Sequence, residues 1–319
     1  MHALEVIGPG VHTTVQDRGR SGFQDVGLPA SGPLDRVSFR LANALVGNAP
    51  DTPAIEMLLQ GPTLKVAADS VRIALAGSNA EIEIRSGTPR RIPAGQSVTL
   101  VRDDVFRVGV LGDSVCAYLA IEGGPDLAKV LGSASTYPRG RIGGLHGRRF
   151  QRGDVLPLKA GRVAARAERA LAKPLDLGLD QPIRVILGPQ ADYFTDEALR
   201  AFLESEYTVS PQSDRMGFRL EGPQLAHAKG YNIVSDGIVT GSVQVPGSGK
   251  PIVLMVDNQT TGGYPKIATV ISADIPIVGR RKPGRTIRFK AVEVSEAERL
   301  RRHQEAAIER ACSAIRPLT

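Results

Sequence analysis

Ser242-Val243-Gln244-Val245-Pro246-Gly247-Ser248-Gly249-Lys250-Pro251-Ile252-Val253-Leu254-Met255-Val256 decides how the chain is to be read. Two short apolar runs, rich in the β-branched residues that suit a pleated surface, flank Gly247-Ser248-Gly249-Lys250. Glycine takes the positive φ that a tight hairpin turn demands, so the stretch predicts a β-hairpin. The same pattern recurs outward: Ile183-Arg184-Val185-Ile186-Leu187 precedes it, and Val71-Arg72-Ile73-Ala74-Leu75, Glu81-Ile82-Glu83-Ile84 and Ser97-Val98-Thr99-Leu100 lie earlier. Each is a short run bounded by Gly, Pro, Asn or Asp, the signature of strands joined by tight turns. The fold class is mainly β, of the α+β kind, with few helices.

Three segments read as helices. One is expected from Pro33, after Ser31-Gly32, with Leu34, Val37, Leu41 and Leu45 at helical spacing and a stop at Gly47-Asn48. A second follows Thr195, where Asp196 and Glu197 complement the positive end of the helix dipole. The last opens with the capping pattern Ser295-x-x-Glu298 and aligns Ala297, Leu300, Ala307, Ile308 and Ala311 on one face.

A chain of 319 residues exceeds what one core usually holds, about 100 to 200 residues. The Ala-, Arg- and Leu-rich stretch from Ala160 to Pro182, broken by Pro174 and Pro182, has little reason to be buried. It places an N-terminal domain at 1–160, a linker at 161–182 and a C-terminal domain at 183–319 that includes the last helix. Gly8-Pro9 and Gly61-Pro62-Thr63-Leu64 in the first half echo Gly188-Pro189 and Gly222-Pro223-Gln224-Leu225 in the second, which suggests distant duplication.

Composition narrows the function classes. Apolar residues make up 42% and charged residues 23%, the balance of a globular protein. No window reaches the roughly 18 apolar residues of a spanning helix, and Glu5 sits where a signal peptide would continue its apolar run. Cys116 and Cys312 are far apart and lack Cys or His neighbours at ligand spacing, so neither a disulfide framework nor a metal site is expected. A cytoplasmic protein with no membrane segment fits these features. The net charge of +7, densest at Arg139–Arg152 and Arg280–Lys290, raises nucleic acid as a partner. Aromatics at 4% with no Trp leave few platforms for base stacking, so a solvated basic face or one turned toward an acidic partner is the better reading.

Several enzyme signatures are missing. A Walker loop needs Gly five residues before its Gly-Lys-Ser/Thr, but Gln244 stands there and Pro251 follows Lys250. No Gly-x-Gly-x-x-Gly, no Gly-x-Ser-x-Gly and no clustered His motif occurs. Without a Met-Lys pair, covalent biotin is not expected on this chain.

Two loops carry chemistry. Thr13-Thr14-Val15-Gln16-Asp17-Arg18-Gly19-Arg20 brings amides, a carboxylate and guanidiniums together, suited either to clamping an anion or to a structural network around Asp17 and Arg18. Asp257-Asn258-Gln259-Thr260-Thr261-Gly262-Gly263-Tyr264-Pro265-Lys266 follows an apolar strand with a dense set of donors, as a site or as a plain turn. Arg215 and Gln244 are polar residues in strand-like surroundings, each a satisfied buried partner or a site lining.

In order, TVQDRGRSGF, SGPLDRVSFRLANALVGN, GSASTY, QRGDVL, SDRMGFRLEGP and DNQTTGGYPKIATVISAD resemble the allophanate hydrolase subunit 2 family, which includes the C subunits of 5-oxoprolinases and the carboxyltransferase domains of urea carboxylases. The likeness runs from about residue 3 to 295. It implies two cyclophilin-like β-barrel domains. It further implies an allophanate-hydrolase-subunit-1-like B subunit and a lactam-utilising A subunit as partners, with ATP used by the complex to open 5-oxoproline to glutamate. The residues inside matching motifs are Asp17, Arg18, Arg215, Gln244, Asp257, Thr261, Gly262, Gly263, Tyr264 and Lys266. Under the resemblance, Arg18 and Arg215 hold a substrate carboxylate or phosphorylated intermediate, and the Thr261-Gly262-Gly263 amides stabilise developing charge. Asp257, Tyr264 and Lys266 move protons. Ala134 in GSASTY and Val278-Gly279-Arg280-Arg281 depart from the family's usual residues. Carboxyl transfer from a biotin-carrying partner to urea or a related amide, and a regulatory role exerted through the B-like partner, are the alternatives.

Overall fold

The computed structural model describes residues 2–318. The chain divides into two compact units. Unit 1 holds the residues up to Arg20, Ser31–Leu177 and those from Ala307 onward; unit 2 holds Ser21–Ala30 and Gly178–Ala306. Strands dominate both, and no helix among the described residues is long and apolar enough to cross a membrane.

Unit 1 is built from two antiparallel sheets. The first runs in the order Val155–Pro157, Ala3–Gly8, Thr63–Val66, Val105–Val108, Glu81–Ile84, Arg90–Pro93. The second runs His12–Gln16, Ala54–Leu58, Cys116–Ile121, Ser70–Ala76, Ser97–Val101. Alternation along the strands turns Leu4, Val6, Leu64, Ile82 and Phe106 of the first and Val15, Ile55, Ile73, Leu100 and Leu119 of the second into one dry core. Each such side chain contributes about 1.5–3 kcal/mol by leaving water.

Helix α1 (Arg36–Val46) packs on the second sheet. It starts later than Pro33, because the Asp35 carboxylate accepts the N–H groups of Val37 and Ser38 and so satisfies two of the donors a helix start leaves open. Gly47 ends it in the left-handed conformation, φ 79°, as the Gly-Asn stop suggested.

The stretch expected as a linker, 161–182, belongs to unit 1 as far as Leu177. Glu168 fastens it there. Its carboxylate accepts from Arg72 Nε at 3.2 Å, from Thr99 Oγ1 at 2.5 Å and from Ser97 Oγ. The composition of this stretch signalled exposure, whereas one carboxylate and three donors hold it to the sheet. The residues after the last helix also return to unit 1, where Arg316–Pro317 pairs with Arg169–Ala170.

Unit 2 centres on an eight-stranded sheet in the order Thr286–Ile287, Tyr207–Val209, Gly217–Glu221, Ile252–Leu254, Ser242–Gln244, Lys266–Val270, Ile183–Leu187, Phe289–Ala291. Its first and last strands are separated along the chain by Arg288 alone. One residue spans about 3.3 Å, so the two margins must meet and the sheet is a nearly closed barrel. The opening hairpin is present: Val243 pairs with Val253 and Gln244 with Ile252, around a turn in which Gly249 takes φ +71°. Helix α2 (Asp196–Glu204) is capped by Thr195, whose hydroxyl accepts the Ala198 N–H, and stacks Phe202 on Phe289 with centroids 4.4 Å apart.

A short helix α3 (Ile275–Arg280) precedes the closing strands. Helix α4 (Val294–Ser313) begins one residue before Ser295, so the expected Ser295 cap lies inside it; the Ala297 N–H reaches back to the Glu293 carbonyl. Ala297 and Ile308 are buried, in keeping with the apolar face read from the sequence.

Candidate functional site

Strand pairing in unit 2 places Arg215 beside Asp257. Arg215 leads into Gly217–Glu221 and Asp257 leaves Ile252–Leu254, with Gly217 opposite Leu254. The Asp257 N–H donates to the Arg215 carbonyl at 2.9 Å, and the Arg215 side chain closes a forked pair, Nε to Oδ2 at 2.8 Å and Nη2 to Oδ1 at 3.1 Å. Both residues are buried. Their charges therefore face each other, and the pair anchors the start of the donor-rich loop. Arg215 as a substrate clamp and Asp257 as a proton carrier were the roles implied by resemblance; the geometry gives both side chains a structural commitment first.

Beyond Asp257 the chain folds back so that Thr261–Gly262 pairs with Asp236–Gly237, and the Gly263 carbonyl accepts the Ile233 N–H at 2.8 Å. A Cβ at Gly262 would sit 2.6 Å from Ile238 Cδ1 and 2.7 Å from Gln244 Nε2, so a side chain there would push both of these ends aside. Gly262 thus lets the loop lie directly on Gln244.

Gln244 stands opposite Lys266 in the ladder. Direct cross-strand partners share one face, so amide and ammonium are neighbours. Gln244 donates to the Tyr264 carbonyl at 3.5 Å and accepts from Gln259 Nε2 at 3.4 Å. The Lys266 side chain is only 3% exposed, and its Nζ donates to Asp236 Oδ2 at 2.7 Å. Gln190 brackets this contact: its Oε1 accepts the Lys266 N–H at 3.1 Å and its Nε2 donates to Asp236 Oδ2 at 3.4 Å. The hydrogen bond from Lys266 holds the Asp236 carboxyl below its ordinary range, helped by the Gly237 N–H. Tyr264 is 41% exposed, so its phenol meets solvent at the loop.

Six predicted residues therefore gather on one loop and the two strands beneath it: Gln244, Thr261, Gly262, Gly263, Tyr264 and Lys266, with Arg215 and Asp257 at its base. Asp17 and Arg18 belong to unit 1. The buried Asp17 carboxylate accepts from Gly19 N at 2.9 Å, Ser133 Oγ at 2.5 Å, Ser135 Oγ at 2.8 Å and Ala134 N at 2.7 Å. It ties the Thr-Val-Gln-Asp-Arg stretch to Gly-Ser-Ala-Ser-Thr-Tyr, the structural reading left open above. Arg18 extends into solvent, 71% exposed, with Asp51 3.9 Å away.

Asp236 and Gln190 were missed. Ser235-Asp236-Gly237 reads as an ordinary turn, and Gln190 follows a Gly-Pro turn; their shared partner, Lys266, is remote in sequence.

A family model for the carboxyltransferase domain, subdomain A and B, matches residues 26–291. The chain is 39% identical to the 5-oxoprolinase C subunit of Escherichia coli K12 over 96% of both chains. It is 36% identical to the 5-oxoprolinase C subunit of Haemophilus influenzae over 95% of both. Among solved structures, the urea amidolyase of Kluyveromyces lactis superposes with a TM-score of 0.86 at 32% identity over 97% of this chain; the match spans 20% of that much longer protein. By the extent of these matches, the chain belongs to the carboxyltransferase-domain family of subdomains A and B.

Proposed function

We propose that this chain is the C subunit of an ATP-dependent 5-oxoprolinase, which opens 5-oxoproline to glutamate together with an allophanate-hydrolase-subunit-1-like B subunit and a lactam-utilising A subunit. One observation carries this reading: the match to the Escherichia coli 5-oxoprolinase C subunit covers 96% of both chains, so the two proteins are comparable end to end. The urea amidolyase of Saccharomyces cerevisiae, in contrast, is matched over 17% of its length.

The chain's own contribution is the loop from Asp257 to Lys266. Lys266 supplies a buried positive charge, and Gln244 supplies an amide beside it. In the proposed reaction water adds to the lactam carbonyl carbon, the Thr261-Gly262-Gly263 backbone would stabilise the oxygen on which negative charge develops, and as the ring C–N bond breaks Tyr264 would give a proton to the departing nitrogen. Arg215 and Asp257 keep the loop in register. ATP finds no cradle in the Gly247-Ser248-Gly249-Lys250 turn, because that turn closes a hairpin and Lys250 is paired with Glu221. ATP is assigned to the partner subunits, where it would supply the driving force for ring opening. The reaction belongs in the cytoplasm.

The reading is tested by measuring glutamate formation from 5-oxoproline and ATP with this chain, the A and B subunits, and every pairwise mixture. Activity confined to the full mixture supports it; a stable three-component complex that forms no glutamate removes it. The likeness to a segment of urea amidolyase favours a second reading, carboxyl transfer from a biotin-carrying partner to an amide. Carboxylation of urea with a biotin carboxylase and carrier protein would select it.

A further inference from the structure

Lys266 is a buried ammonium whose carboxylate partner comes from a weakly held segment. Asp236 is half exposed and sits on a strand of two residues. Around it, residues 229–237 are almost entirely exposed, with Val234 at 91% and Tyr231 at 50%. The segment is tied down by the Asp236–Gly237 pairing, by Ile233 to Gly263, by the buried Ile238 just after it, and by two surface contacts at its start, the exposed Lys229–Asp192 ion pair and Tyr231 edge-on to His227. Few buried apolar contacts mean that it opens at small cost. Lys266 is different: it lies in a ladder strand, and its backbone N–H is held by Gln190 Oε1 independently of Asp236.

The Asp236 carboxylate collects three donors, Lys266 Nζ, Gln190 Nε2 and its neighbour's Gly237 N–H at 2.8 Å. Two of these, Lys266 and Gln190, belong to the barrel strand and the turn beside it rather than to the segment. Both converge on one carboxylate oxygen, Oδ2, and this pair of donors is the recess a carboxylate fills, with Gln244 opposite Lys266 in the ladder. A buried cation requires an anion, and any carboxylate that enters must replace the one already there.

We infer that Asp236 is an internal stand-in for the carboxylate of the ligand, and that binding swaps a carboxylate-bearing small molecule for Asp236 on Lys266 and Gln190. The displaced segment 229–237 then swings away from the loop that carries Tyr264. This rests on the proposed function for the identity of the ligand, 5-oxoproline, but the recess itself asks only for a carboxylate. No covalent step is involved: one ion pair exchanges for another.

The test is a titration of the purified full-length chain, followed by amide chemical shifts, with L-5-oxoproline, with 2-pyrrolidinone as the same lactam without its carboxylate, and with propionate as a carboxylate without the lactam. Asp236→Asn should tighten binding of 5-oxoproline and propionate by roughly tenfold, the factor expected when a competing state holding about nine-tenths of the population is removed. It should leave 2-pyrrolidinone unchanged. Lys266→Met should lose both carboxylates; if it fails to fold, Gln190→Leu at a partly buried position should weaken them. Unchanged or weaker carboxylate binding by a folded Asp236→Asn chain, or no saturable binding by any of the proteins, overturns the inference. Propionate following this pattern while 5-oxoproline does not would uphold the recess and remove the 5-oxoprolinase reading instead.

Discussion

Arg215 and Asp257 meet through two hydrogen bonds, Nε to Oδ2 and Nη2 to Oδ1, and neither side chain is more than 5% exposed. Such a pair gains little over a well-packed apolar pair, but loses heavily when one member is removed.

Arg215→Ala or Asp257→Asn should therefore cost about 3–5 kcal/mol, because each strands the opposite charge in a dry site. Urea unfolding of the purified chain measures it. A loss below about 1 kcal/mol in both, the scale of an exposed pair, would show that the charges are solvated.

Lys266→Ala is read at the chemistry, in protein that folds and assembles. In the reconstituted complex, kcat/KM for 5-oxoproline should fall by about 100-fold or more, the range typical of removing a positioned acid–base or charged group. Wild-type kinetics from a folded Lys266→Ala complex would take the residue out of the site.

Asp17 and Arg18 should part company although they are adjacent. Asp17→Ala leaves the Gly19 and Ala134 N–H groups without their acceptor, at about 1–3 kcal/mol for each buried donor. Arg18→Ala should shift stability by no more than about 0.5 kcal/mol, as exposed positions do. Thermal unfolding of the two variants gives the comparison, and equal shifts would contradict it.

Glu168 makes the stability of unit 1 acid-sensitive. Burial alone would raise its pKa, but the hydroxyls of Ser97 and Thr99 and the Arg72 guanidinium outweigh burial and lower it. A carboxyl lowered in the folded state stabilises fully above its unfolded pKa of about 4.3, and that contribution is lost as pH falls through the folded value. Glu168→Gln removes the dependence, so its stability should change less than that of wild type below about pH 4.5. Parallel acid limbs in pH-resolved unfolding curves would speak against this.

Local chemistry made the hairpin around Gly249, the Gly47 stop and the Thr195 cap legible, because each is decided within a few residues. Closure of the barrel was not, since Thr286–Ile287 and Phe289–Ala291 are too short for an alternating pattern to show. The site was legible where one loop concentrates its donors, from Asp257 to Lys266. It was illegible where side chains distant in sequence meet: Lys266 with Asp236, and Asp17 with Ser133, Ala134 and Ser135. A run of residues carries its own periodicity, but nothing in Ser235-Asp236-Gly237 announces the buried lysine it neutralises.

The single residue Arg288 between the two outermost strands of unit 2 also bears on association. A strand at the margin of an open sheet offers a row of unpaired backbone groups, which another chain can extend by adding a strand of its own. In unit 2 those margins are only two and three residues long, Thr286–Ile287 and Phe289–Ala291, and run into each other through Arg288. Recognition of this barrel by another protein has to be written in side chains and loops, where charge and shape discriminate among partners, and the main sheet of unit 2 offers little template for runaway strand-on-strand assembly.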